Sequence, residues 1–97
     1  MTKITAKAYN AFKACKRFTE SNTSVRIDDG EAKMYLFGNL IAKTDGADLL
    51  ICDGGHPPSR TTKERLNAFP DVNLRMCKGE WIFNEQMKWD GKWLKIN

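Results

Sequence analysis

The sequence predicts a single α+β domain over residues 1–97, and three observations predict it. Apolar side chains recur at spacings of three and four through the first twenty residues. Short apolar runs cut by Gly-containing pairs follow as far as residue 53. A proline-bounded segment carrying a helix-start signal then precedes a second alternating tract. A chain of 97 residues is long enough for one core and too short for two. The expected order is an N-terminal amphipathic helix, an antiparallel β-meander, a short capped helix and C-terminal β-hairpins.

In the first segment Ile4, Ala8, Ala11, Phe12, Cys15 and Phe18 fall on one stripe of a helix ending near Glu20. The meander follows from the runs Val25–Ile27, Met34–Phe37, Leu40–Ala42 and Leu49–Cys52, which are punctuated by Asp29-Gly30, Gly38-Asn39 and Asp45-Gly46. Pro57 and Pro58 forbid regular structure. After them, Thr61 and Glu64 have the spacing of a capping box for a helix over about residues 62–68, which Pro70 stops. From Val72 onward, alternation with breaks at Lys78-Gly79, Asn84-Glu85 and Asp90-Gly91 predicts three or four strands. Asp90-Gly91 reads as a two-residue hairpin turn between Trp89 and Trp93.

Charge is unevenly placed. Residues 1–20 carry Lys3, Lys7, Lys13, Lys16 and Arg17 against Glu20 alone, while the rest of the chain balances eleven basic with eleven acidic side chains. The whole +4 excess therefore sits in the first segment, where Lys3, Lys7, Lys13 and Arg17 would meet an acidic partner or a phosphate backbone. Trp89 and Trp93, interleaved with lysines, would offer stacking surfaces for bases. If the meander strands alternate in direction, the turns at residues 28–31 and 44–48 share one end. Asp28, Asp29, Glu31, Asp45 and Asp48 then form an acidic rim able to imitate duplex phosphates and occupy a basic groove. Asp71 and Glu85 fall at that end as well, with His56, Arg60, Lys78 and Asp90-Gly91 at the other.

Ser59, Arg60, Thr61 and Thr62 open the short helix, where free amides favour an anion. The chain's one histidine, His56, lies four residues after Cys52, yet no third group orients the pair for catalysis, and no G-x-S-x-G, P-loop or H-E-x-x-H pattern occurs. Cys15, Cys52 and Cys77 lack the paired-knuckle spacing of a zinc site and read as small buried thiols. No enzyme activity, cofactor or metal is expected. No apolar run approaches the roughly 18 residues that cross a bilayer, the N-terminus lacks a signal-peptide pattern, and three cysteines cannot all pair, so a cytoplasmic protein without a membrane partner is expected.

The pieces "LFGNLIAK", "TTKERLN" and "GEWIFNEQMKWDGKW" resemble a family of small phage-encoded proteins of unassigned function, over roughly residues 36–93. Where such relatives carry Asn-Gly after the tryptophan strand, this chain has Asn84-Glu85. The resemblance implies phage origin and a bacterial host cell. Small phage proteins without catalytic motifs often bind a host machine, anti-CRISPR proteins among them. By that analogy the expected function is a non-enzymatic inhibitor of a host protein or ribonucleoprotein complex, a CRISPR effector above all, blocking its binding of target DNA. A nucleic-acid-binding module using the basic helix and the tryptophan hairpin is the other expectation.

Overall fold

The computed structural model describes residues 1–96. The chain runs α1 (Lys3–Lys13), β1 (Phe18–Glu20), β2 (Thr23–Asp28), β3 (Glu31–Leu36), β4 (Asn39–Thr44), β5 (Leu49–Ile51), α2 (Arg60–Leu66), β6 (Leu74–Cys77), β7 (Glu80–Phe83), β8 (Met87–Trp89) and β9 (Leu94–Lys95). This is the expected α+β order of helix, meander, short helix and C-terminal hairpins. No helix among the described residues is long and apolar enough to cross a membrane.

Strands β1 to β5 pair in sequence and β9 adds to β5, giving a six-stranded antiparallel sheet of order β1-β2-β3-β4-β5-β9; β6, β7 and β8 form a second, three-stranded one. The period-2 pattern sends Val25, Ala32, Met34, Leu36 and Ile51 to one face, where α1 contributes Ala8 and Phe12, and Leu66, Phe69, Leu74, Trp81 and Trp89 complete the core. A β-bulge interrupts β4. Met34 pairs with Ala42 while Tyr35 pairs with Leu40, so the extra residue, Ile41, joins Ala42 in the core and Lys43 emerges on the opposite face.

Four local expectations are corrected. Helix α1 ends at Lys13, not near Glu20, because Cys15 takes a left-handed backbone (φ 54°) and the Lys16 N–H bonds back to Ala11 O. Phe18 still leans on the core, but from β1 opposite Val25. Helix α2 begins at Arg60 with Ser59 as its N-cap, the Ser59 hydroxyl accepting the Thr62 N–H at 3.2 Å. Thr61 does not cap it, and Glu64 reaches instead to Thr2 at the head of α1. Asp90-Gly91 does not close a hairpin: β8 pairs with β7 and β9 with β5, so Trp89 lies in one sheet and Trp93 just before the edge strand of the other. The Trp89 indole N–H donates to Lys92 O, and the Asp53 N–H donates to Gly91 O, which holds this segment as a crossing between the sheets. Of the three thiols only Cys52 is buried; Cys15 is exposed and Cys77 half-buried.

Candidate nucleic-acid interface

Helix α1 lies on the core side of β1, β2 and β3, which leaves the other side of the six-stranded sheet open. Alternation places Arg26, Lys33, Lys43 and Lys95 on that open side, and strand register brings them into line. Arg26 pairs with Lys33, Lys33 with Lys43, Lys43 with Leu50, and Leu50 with Lys95. Arg17, just before β1, extends the row, since Phe18 opposes Val25 and Arg17 lines a cleft with Arg26, Asp28 and Tyr35.

Two aromatic rings stand among these cations. The Arg26 guanidinium lies 4.7 Å from the centroid of Tyr35, and the Lys43 ammonium 4.6 Å from that of Trp93. Such contacts at exposed sites are worth about 0.5–1 kcal/mol, enough to orient the cations and little enough to be exchanged. Tyr35 is half-buried on the sheet and Trp93 is 43% exposed. Beside Trp93 an open cleft of about 920 Å³ runs past Leu40, Asn39 and Gly54. Arg17, Arg26 and Lys43 have no ion pair among the described residues. Lys33 is held by Asp28 at 3.2 Å and Glu31 at 3.9 Å, and Lys95 by Asp48 at 3.6 Å. The Asp28 hydrogen bond raises the Lys33 pKa above its ordinary value.

The anticipated acidic rim is geometrically present: Asp28 pairs with Glu31, and Thr44 pairs with Ala32 and Leu49, which sets both turns side by side. Its charge is largely answered from within. Lys33 and Lys95 engage Asp28, Glu31 and Asp48, and Asp45 accepts the Ala47 and Asp48 N–H groups at 2.9 Å, which lowers its pKa. Asp29 alone of the five has neither kind of partner among the described residues.

The four basic residues expected to act together are divided. Lys3, Lys7 and Lys13 lie on α1, across the sheet from the open face, with Lys7 paired to Glu20 at 3.3 Å, whereas Arg17 comes round to the open side. Trp89 is a core residue, 7% exposed, so Trp93 is the ring of that pair left for a ligand. Ser59 and the buried Thr62 are engaged in capping α2, next to half-buried Thr61 and exposed Arg60. His56 Nε2 lies 3.2 Å from both Leu36 O and Asn39 Nδ2, anchoring its loop to the β3–β4 turn. The buried Cys52 thiol donates to Leu40 O, and desolvation raises its pKa, the opposite of an activated nucleophile.

Arg26, Tyr35, Lys33 and Lys43 went unrecognised in the sequence. The available signal was the alternation of each strand; what aligned them was register across two successive hairpins, β2–β3 and β3–β4.

Fold and face together define a small α+β protein whose open sheet side bears cations and two aromatic rings, one half-buried and one exposed. The model of the Kyanoviridae Gp96 protein, a phage family, matches residues 1–94, and the chain belongs to that family. The match takes in the basic N-terminal helix, which lay outside the resemblance seen in residues 36–93. No curated protein and no solved structure matches the chain.

Proposed function

We propose that this phage protein is a non-catalytic binding protein that takes up nucleic acid on the open face of its six-stranded sheet, within the host cytoplasm. The observation that carries the reading is the row Arg26, Lys33, Lys43 across consecutive strands, extended by Arg17 just before β1, with Tyr35 and Trp93 stacked against its members. Cations at fixed spacing suit a repeating polyanion, and each phosphate they neutralise releases counterions. Binding therefore falls as salt rises.

Fluorescence anisotropy with labelled oligonucleotides at two salt concentrations tests this. Three cations free of ion pairs predict a slope of log K against log salt of roughly −2 on a single strand. Changing Arg26→Glu with Lys43→Glu should remove most of that slope, while Lys3→Glu with Lys13→Glu on α1 should leave it. The reverse pattern would move the interface to the helix, and no binding at low salt would end the reading.

A second reading, an anti-CRISPR inhibitor that presents its acidic rim to a CRISPR effector, is favoured by the adjacency of the Asp28–Glu31 and Thr44–Leu49 turns. It requires the carboxylates to leave Lys33 and Lys95 for the partner's cations. Replacing Asp28, Asp29 and Glu31 together by lysine should then weaken effector binding by at least about 2 kcal/mol and restore target-DNA binding. If the triple variant inhibits as well as the parent, the rim is not the binding surface.

A further inference from the structure

We infer that the ligand of the open sheet face is single-stranded nucleic acid, with bases stacked on Trp93 and Tyr35 and phosphates held by Lys43 and Arg26. This deepens the nucleic-acid reading above and rests on it. A duplex offers a protein its phosphates and groove edges, and its bases are stacked on one another; only an unpaired strand can lay a base on an exposed ring.

Here the rings and cations alternate across the sheet. Arg26 and Tyr35 stand on β2 and β3, Lys43 on β4, and Trp93 immediately before β9. At the ordinary strand spacing, β2 to β9 spans roughly 19 Å. That is room for on the order of five nucleotides of a stacked strand at about 3.4 Å each.

Each ring already holds a cation at van der Waals distance, so ring and charge sit one nucleotide's reach apart. Stacking a base on an aromatic side chain is worth roughly 5- to 150-fold in affinity, against about 2- to 5-fold for an exposed cation–π contact. A base therefore displaces the cation from the ring, and the cation turns to the adjoining phosphate. The half-buried Leu40 and Leu50, on the same face between Tyr35 and Trp93, supply an apolar floor that a duplex would not contact.

Trp93 also supplies a private reporter, because Trp81 and Trp89 are 2% and 7% exposed. The experiment titrates the full chain with oligothymidylate, oligouridylate and a mixed-sequence duplex, reading tryptophan emission and anisotropy. Single strands should quench the emission. Trp93→Leu should abolish the quenching and weaken single-strand binding about tenfold while changing duplex binding less than twofold; Tyr35→Phe should keep affinity and Tyr35→Leu should lose it. Thymidylate and uridylate binding alike supports recognition through the base faces; a strong preference for either, which reads the 2′-hydroxyl or the thymine methyl, counts against stacking as the main contact. Duplex binding as tight as single-strand binding, without quenching, overturns the inference and leaves the electrostatic reading standing. If neither form binds, both fall.

Discussion

The Oε1 of Glu64 accepts the backbone N–H of Thr2 at 2.8 Å, so a carboxylate on α2 closes the first turn of α1. The first amides of a helix have no partner within it, and α1 has no acidic residue in its own first turn. The missing charge arrives from 62 residues away.

That contact sets an acid limit. The Thr2 amide, helped by the Thr5 hydroxyl, holds the Glu64 carboxyl at about 2 instead of 4.5. Its folded value is depressed, so its stabilisation is full above pH 4.5 and is lost as pH falls from there toward 2. Discounted for screening at a partly exposed site, the loss is about 1 kcal/mol. Thermal unfolding followed from pH 6 to pH 2 should show a steeper fall for the parent than for Glu64→Gln.

Next to Glu64, Arg65 is 4% exposed and bonded wholly to neutral oxygens: Nη1 to Thr5 Oγ1 at 2.7 Å, Nε to Thr23 Oγ1 at 2.9 Å and Nη2 to Asn22 Oδ1 at 3.2 Å. The fork joins α1 and the start of β2 to α2. Hydrogen bonds to a charged donor are worth about 1.5–3 kcal/mol each, and the desolvated charge offsets part of that. Arg65→Ala should cost about 3 kcal/mol in denaturant unfolding. Arg65→Lys should recover less than half, since an ammonium cannot span three acceptors set around a planar group.

Phe37 stands at the tip of the β3–β4 hairpin in a left-handed conformation (φ 51°), 62% exposed. A bulky residue there costs roughly 1 kcal/mol relative to asparagine. Phe37→Asn should raise the melting temperature by a few degrees in calorimetry, which an aromatic important for packing would not allow.

Gly91 is the point where the crossing chain touches Asp53. It has φ 83°, and a Cβ there would run into the Asp53 carboxylate. Gly91→Ala should destabilise by about 2 kcal/mol or more, and adding Asp53→Ala should recover the steric share alone, as urea unfolding of the pair of variants can measure.

Most of the fold was legible because its elements obey local rules: the six-residue strands β2 and β3 alternate cleanly, Asp29-Gly30 marks the turn between them, and Lys78-Gly79 marks that between β6 and β7. Asn84-Glu85 also turns the chain, both residues left-handed (φ 51° and 58°) without a glycine, because Asn84 accepts the Asn73 N–H and donates to Asp71 O. Local rules failed where a distant group intervened. Phe18 continues the helical stripe only because a strand residue facing the same core falls in phase with it. Trp89-Asp90-Gly91 carries a hairpin's residues, yet Asp53 and the Trp89 indole fix another path. The candidate site was less legible still. Totalling charge by segment located the excess in residues 1–20, whereas the open face draws single cations from several strands, and only pairing register reveals that they adjoin.

The sheets end in very short strands: β1 has three residues and β9 two, while β6 has four and β8 three. A growing cross-β stack needs a long, flat border of free N–H and C=O groups to copy itself onto, and none of these borders offers more than four residues. Copies of this chain would thus find no edge to extend strand by strand, and crowding alone would not drive them into fibres.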